Sequence, residues 1–527
     1  MLDTSNPYNY KYLTKSLEIH ILGGTKTNKL ESLRVTLSIQ KLKAYNILRQ
    51  SIDLYNDNLV EKLVRKCAER LEVSTSVVRK DLQALTRELE NHRFLLIDTE
   101  TQSQRPFTKQ LTARELRAAE AFLKKDDLLE RTNELIGKSG VIGEAANRLL
   151  MYLIFTSRKT NNPLHCISLG SSGVGKTHLQ TKVSGLIPEE DTIEITVLSA
   201  NAFYYFNRTE LQHKLILIED LDGAESVLYP LRELQSKKRI TKTVVHKDRK
   251  GNTKTIHLTV EGPVCVAGCT TQESIYEDNS NRSFLLYIDE SQEQDTRIMN
   301  YQRLISAGKL NETQQLEAKE LLQNVQRILK PIKVINPYAE YLELPQSVFK
   351  PRRTNSHYLQ FIEAITFYKQ YQRHKQYNKE TGEEFIETEI EDIQEANELI
   401  QEVLLRKSDL LNGACRQFFE CLKAYLKQNN QPTFTNSEIR RTLRVNPSNQ
   451  KRYMLHLQLA DLVRKSKGDK RKGYSYEVVS YNDYEATNKQ IQQLLNQTIT
   501  EMKNKILVRG DSPQACHERS PGVQSSS

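Results

Sequence analysis

Eight residues, Gly170-Ser171-Ser172-Gly173-Val174-Gly175-Lys176-Thr177, fit the spacing G-x-x-x-x-G-K-[ST] of a phosphate-binding loop. Each fixed position has a mechanical reason. The three glycines let the backbone bend so that successive N–H groups converge on phosphate oxygens. Lys176 is the cation expected to reach the β- and γ-phosphates, and the Thr177 hydroxyl is a Mg²⁺ ligand. The flanks suit the motif. Pro163–Leu169 is an apolar run that reads as a buried strand, and His178–Val183 reads as a helix whose N-terminal dipole favours an anion. These residues predict binding of a nucleoside triphosphate with Mg²⁺.

A second chemical signal follows in Leu215-Ile216-Leu217-Ile218-Glu219-Asp220-Leu221-Asp222. Four consecutive apolar residues predict a strand buried on both faces, with acids at its carboxyl edge, where ligands bind in α/β sheets. Glu219 is assigned to the metal and Asp220 to orienting or deprotonating the attacking water. Read alone, Asp220-x-Asp222 also resembles half of a primase-type acidic metal site, a reading the upstream loop disfavours.

Val264–Thr271 predicts another core strand, whose polar end places a hydroxyl of Thr270 or Thr271 near the γ-phosphate or the attacking water. Arg282, in Asn281-Arg282-Ser283-Phe284, is a candidate arginine finger for a neighbouring subunit's nucleotide. Arg353 opens a helix running through Leu359, Ile362 and Phe367, a candidate lid carrying a phosphate-sensing arginine. Between the acidic strand and Val264, Ile240–His246 and Lys254–Val260 predict a hairpin. Its turn carries Lys247, Arg249 and Lys250, suited to a phosphate backbone.

The elements that must position these groups come from the rest of the chain. At 527 residues, there is room for about two to four domains with their own cores. No run approaches the roughly 20 apolar residues of a membrane span, and the N-terminus lacks a secretory pattern. Seven scattered cysteines suit a reducing cytoplasm, and Cys265 and Cys269 read as buried thiols rather than zinc ligands. The acidic stretch 380–402 reads as a solvated helix face.

Residues 1–110 are expected to hold a hairpin (Leu17–Leu22 with Leu33–Ile39) and a helical stretch from Lys41 to Arg93. Cys67–Leu82 within that stretch patterns loosely as a helix-turn-helix with a short second helix. A polar linker spans Thr101–Lys109. Residues 111–160 form a helical connector, 161–405 the nucleotide core with its lid, 406–480 a basic domain, and 481–527 a helix and polar tail. The net charge is +10, and residues 431–480 concentrate eleven Lys/Arg against four Asp/Glu. There, helices at 436–445 and 447–463 precede a basic loop at 465–473 and a strand at 474–479. That is the pattern of a winged helix, with Lys451, Arg452, Lys467, Lys470, Arg471 and Lys472 as DNA contacts.

The order of loop, acidic strand, basic hairpin, polar-ended strand and Asn-Arg-x-Phe resembles the AAA+ helicases of the minichromosome-maintenance type. In that family the acidic motif reads D-E-x-D, against Glu219-Asp220-Leu221-Asp222 here. The family's finger lies in S-R-F, and its second sensor in R-T-x-x-x-x-[LI], here Arg353-Thr354 through Leu359. A nearer likeness is to the ATPase half of zinc-finger primase-like proteins of mobile elements. It is carried by Val141-Ile142-Gly143-Glu144, Glu261-Gly262-Pro263-Val264, Asn336-Pro337-Tyr338-Ala339 and Arg352–Arg373, and covers residues 15–420. The resemblance implies an α/β P-loop AAA+ core of αβα layers. It also implies a homo-hexamer with a single DNA strand in its channel and duplex at the winged helix, and an ATP-driven helicase or translocase in replication of a mobile element. The zinc finger and a primase centre are missing from the pattern, so a primase would be a separate partner. Two other readings stay open: an ATP-switched initiator or helicase loader, and a DNA-binding regulator without catalysis.

Overall fold

A computed structural model describes residues 2–25, 32–42, 44–103, 109–196, 201–222, 228–247, 253–271, 282–345, 348, 350–469 and 473–509. The chain divides into two compact units, Met1–Thr108 and Lys109–Ser527.

The first unit is built on an antiparallel meander of β1 (Leu2–Asp3), β2 (Asn9–Leu13), β3 (Leu17–Leu22), β4 (Arg34–Lys41) and β5 (Ile47–Asp53), in that spatial order. Alternation puts Leu17, Ile19 and Ile21 on the same buried face as Leu37 and Ile39. Strand β5 lies within the stretch read as helical. Its two buried apolar residues, Leu48 and Ile52, are four apart, a spacing common to helix and strand. Pairing with β4, Leu48 to Ile39 and Ile52 to Val35, decides for strand.

Helices α1 (Asp57–Leu71) and α2 (Thr75–Ser103) follow. Asn56 caps α1 by accepting from Leu59 N–H. The second helix is long rather than short. Val78, Leu82, Leu85 and Leu89 recur at helical spacing and join the sheet's core, so α1 and α2 form a hairpin packed on the meander.

In the second unit, α3 (Ala113–Leu123), α4 (Leu128–Lys138) and α5 (Ala145–Thr156) lead into a five-stranded parallel sheet. Its strands are β6 (Cys166–Leu169), β7 (Thr192–Ile195), β8 (Lys214–Ile218), β11 (Val264–Thr270) and β12 (Phe284–Tyr287). Their spatial order is β12-β6-β11-β8-β7. Helix α6 (Lys176–Ser184) follows β6, and α7 (Leu228–Lys237) precedes the antiparallel hairpin of β9 (Arg239–Lys247) and β10 (Thr253–Glu261). Strand β11 is buried at every position, as expected of a strand covered on both faces.

Beyond the sheet come α8 (Gln292–Ser306), α9 (Glu312–Ile328), β13 (Lys333–Ile335), α10 (Pro351–Tyr368), β14 (Gln376–Tyr377), β15 (Glu384–Glu387) and α11 (Ile390–Ser408). The acidic 380–402 stretch is thus a strand followed by a helix, and not all of it is solvated. Asp392 is fully buried, paired with Lys369 and Arg373.

Next, α12 (Gly413–Gln428), β16 (Phe434–Thr435), α13 (Asn436–Thr442), α14 (Pro447–Leu459), β17 (Val463–Asp469) and β18 (Gly473–Val478) share a core of their own. Their sheet runs β16-β18-β17. The last helix, α15 (Asp483–Arg509), is long. Its Ile491, Leu495, Ile499 and Met502 join the core that also holds Ile393, Ile400 and Leu404 of α11. No helix among the described residues is long and apolar enough to cross a membrane.

Candidate nucleotide site

The loop between β6 and α6 has the conformation its glycines allow. Gly173 and Gly175 adopt φ of 86° and 97°, a region that side chains avoid, and Gly175 caps α6. No atom lies within 4 Å of where a Cβ would stand at either position, so the space above the loop is open. Lys176 is buried, and its Nζ donates to the carbonyls of Gly170 (2.8 Å) and Ser171 (2.6 Å). Open space, a helix N-terminus and a cation inside the loop suit a polyphosphate. Gly170 is needed for another reason. A Cβ there would stand 2.9 Å from Val174 Cγ2 and 3.1 Å from a carboxylate oxygen of Glu290.

That carboxylate was not singled out in the sequence. Glu290 Oε1 accepts the Ser171 N–H (2.7 Å) and Oε2 accepts the Ser171 hydroxyl (3.0 Å), tying the end of β12 to the loop. Strand β12 is followed, after Ile288, by Asp289-Glu290, and β8 is followed directly by Glu219-Asp220, so acids just beyond an apolar strand mark both places.

Strand order explains how the acids meet the loop. Between β6, which feeds the loop, and β8, which carries the acids, lies β11. The carboxyl ends of all three strands therefore share one edge, with Thr270 in the middle. Glu219 and Asp220 are exposed there. The Leu221 N–H donates to the Cys269 carbonyl (2.9 Å), extending the β8–β11 ladder. Thr270 is buried, and its hydroxyl donates to Asp222 (2.5 Å). Gln180 of α6 donates to the Ile218 carbonyl (3.3 Å) and accepts from the Cys269 thiol (3.4 Å). Burial pushes that thiol up to about 11, so it stays protonated.

The two candidate arginines occupy the opposite edge. Phe284 pairs with Cys166 and Tyr287 with Leu169, so Arg282 stands level with Leu164, before β6 begins. The loop starts six positions further along, at about 3.3 Å per residue, or roughly 20 Å away. An arginine side chain extends only about 7 Å. Arg282 Nε donates to Ser236 (2.9 Å) and, with Arg353, lines a cavity of about 230 Å³. Lys238, His165 and His357 share this cavity. Burial pushes both imidazoles down to about 3, with the Arg282 charge adding to the effect on His165. They are neutral, and the positive charge of the cavity belongs to Arg282, Arg353 and Lys238.

Of the residues considered for DNA contact, Lys451 and Arg452 are exposed on α14, and Lys467 is exposed on β17. Lys247 ends β9. Arg249, Lys250, Lys470, Arg471 and Lys472 lie outside the described residues.

Residues 113–331 match the family model of the MTBMA_p00010 P-loop domain. This segment is similar to a P-loop domain. An uncharacterized protein of Methanothermobacter marburgensis, MTBMA_p00010, is 23% identical over 312 residues, which are 57% of this chain and 38% of that protein. The chain thus spans well under half the length of the curated relative it matches. A full-length MCM homolog from Methanopyrus kandleri superposes with a TM-score of 0.37 at 15% identity, over 57% of this chain and 64% of that one. The Drosophila ORC bound to DNA gives 0.23 at 14% identity, over 74% and 99%. Both likenesses are distant, and the nucleotide site rests on its own geometry and on the P-loop family match.

Proposed function

We propose that this chain is an AAA+ ATPase whose hydrolytic sites form between subunits of a ring, most simply a homo-hexamer, and that it moves or unwinds DNA in the replication of a mobile element. The observation that carries the reading is the separation of the parts. One edge of the sheet holds the loop and acids, and the other holds Arg282, too far away to serve that loop, with Arg353 lining the same cavity. A group that stabilises transition-state charge must touch the phosphates. Arg282 and Arg353 therefore belong to a neighbour's nucleotide, and a closed ring of head-to-tail contacts satisfies every site.

Bound ATP and Mg²⁺ supply the phosphoryl group and the charge that screens it. Lys176 would exchange its loop carbonyls for phosphate oxygens, Thr177 and Glu219 would hold the metal, and Asp220 would orient or deprotonate the attacking water. Thr270 steadies the edge between them.

The β9–β10 hairpin and the α12–β18 unit direct the work toward DNA. We read the latter as a winged helix: α13 and α14 pack in sequence, α14 exposes Lys451 and Arg452, and the β17–β18 hairpin supplies the wing with Lys467. Strand displacement on 3′- and 5′-tailed forks tests the proposal. ATP-dependent unwinding from one tail is expected. DNA-stimulated hydrolysis with no displacement on either fork would instead select the initiator or loader reading.

A further inference from the structure

We infer that Asp222 is a positioning residue of the hydrolytic site, a clamp that holds the acidic turn against the end of β11; this rests on the ATPase reading above. Asp222 lies beyond the two acids assigned to metal and water, and its side chain bonds the end of β11. Its Oδ1 accepts the Thr270 hydroxyl (2.5 Å), while Oδ2 accepts the Thr271 hydroxyl (2.8 Å) and the Thr271 N–H (3.2 Å). Its own N–H donates to Asp220 Oδ1 at 2.9 Å. One residue thus ties the end of β11 to the carboxylate assigned to the water.

The turn is held from below as well. Leu221 is buried, and it packs so closely on Gly268 that a Cβ there would meet its side chain at 2.8 Å. Within the turn from 219 to 222, backbone and apolar contacts fix Leu221, and the Asp222 carboxylate is bonded to Thr270 and Thr271. Thr270 and Thr271, the polar end of β11, both direct their hydroxyls at Asp222. The residue that reads β11 is therefore an acid of the same turn, and catalytic geometry depends on that contact. A misplacement of about 1 Å at a reacting group costs on the order of 100-fold in rate.

The test uses the full chain and three variants: Asp222→Asn, Thr271→Val, and both together. The amide keeps the shape but loses the charge and one of the two acceptor oxygens. Asp222→Asn should lower kcat about 10- to 100-fold while nucleotide Kd and the melting temperature stay close to wild type. Thr271→Val should cost only a few-fold, and the double variant should fall within about twofold of Asp222→Asn, because both break one contact. A merely structural role would move melting temperature and Kd together with kcat. Wild-type turnover with an unimpaired Asp222→Asn, or with losses that simply add, overturns the clamp and leaves the ATPase reading intact. Absence of turnover in the wild-type chain overturns both.

Discussion

Mixing two inactive variants tests the shared site directly. Lys176→Ala removes the loop cation from the subunit's own nucleotide, and Arg282→Ala removes the candidate finger. Arg282 is level with Leu164, and the loop begins after Leu169. The gap of roughly 20 Å is about three times the reach of the side chain, so the arginine has no path to its own loop without unfolding β12. Each variant alone should therefore lose hydrolysis, Arg282→Ala by about 10³-fold or more.

In a ring assembled from equal amounts of both, a site works only when its loop comes from an Arg282→Ala subunit and its finger from a Lys176→Ala neighbour. That arrangement occurs at about one site in four, so independent sites should return about a quarter of wild-type turnover. The assay is steady-state phosphate release after mixing under conditions that exchange subunits, with wild type and each variant as controls. If the mixture stays as inactive as its components while wild-type rings exchange freely, the finger acts within its own subunit and the spatial reasoning fails.

Three further outcomes follow from specific contacts. Lys407 lies in buried surroundings, its ammonium 6.0 Å from the Phe284 ring centre, and burial pushes its pKa from 10.5 down to about 8. Below pH 8 the folded protein bears the whole cost of that charge. Between pH 8 and 10.5 the unfolded chain binds more protons, so stability rises with pH. Lys407→Met should therefore stabilise the protein by about 1–3 kcal/mol at pH 7 in denaturant melts, with the advantage shrinking toward pH 10.5. Gly268→Ala forces a methyl onto Leu221 and should cost about 1–3 kcal/mol, a loss partly relieved by adding Leu221→Ala; additive losses in thermal melts would count against the contact. Replacing Lys451 and Arg452 together with alanine should flatten the slope of log affinity against log salt for duplex DNA by about two, measured by fluorescence anisotropy. An unchanged slope would take α14 off the DNA.

Much of the site could be read in the sequence because it is encoded locally. The loop announces itself through Gly173, Gly175 and Lys176, since the backbone shape needs glycine and the phosphates need a cation. Strands β8 and β11 announce themselves as apolar runs because both faces of the sheet are covered, and β6 as a short apolar stretch interrupted by Ser168. The β9–β10 hairpin was equally legible from alternation around a polar turn. Strand β5 was not, because Leu48 and Ile52 fit either period until β4 supplies a partner. Asp392 was misjudged in the same way: an acid in an acidic stretch looks solvated until Lys369 and Arg373 are seen to surround it.

The sequence by itself determined that this chain folds a phosphate loop at the end of a buried strand and follows it with an acid-ended one. Those features depend on neighbours only a few residues apart. The tertiary structure alone decided which strands lie side by side. By placing β11 between β6 and β8, it brought Thr270, Asp222 and the acids to one edge, and by running β12 parallel to β6 it sent Arg282 to the other. Strand order and direction are set by contacts between residues distant in the chain, such as Val264 with Lys214 and Phe284 with Cys166, and no local pattern carries them. Glu290 shows the same limit. Its carboxylate reaches Ser171 across 119 residues of chain, and only the folded sheet makes the two neighbours.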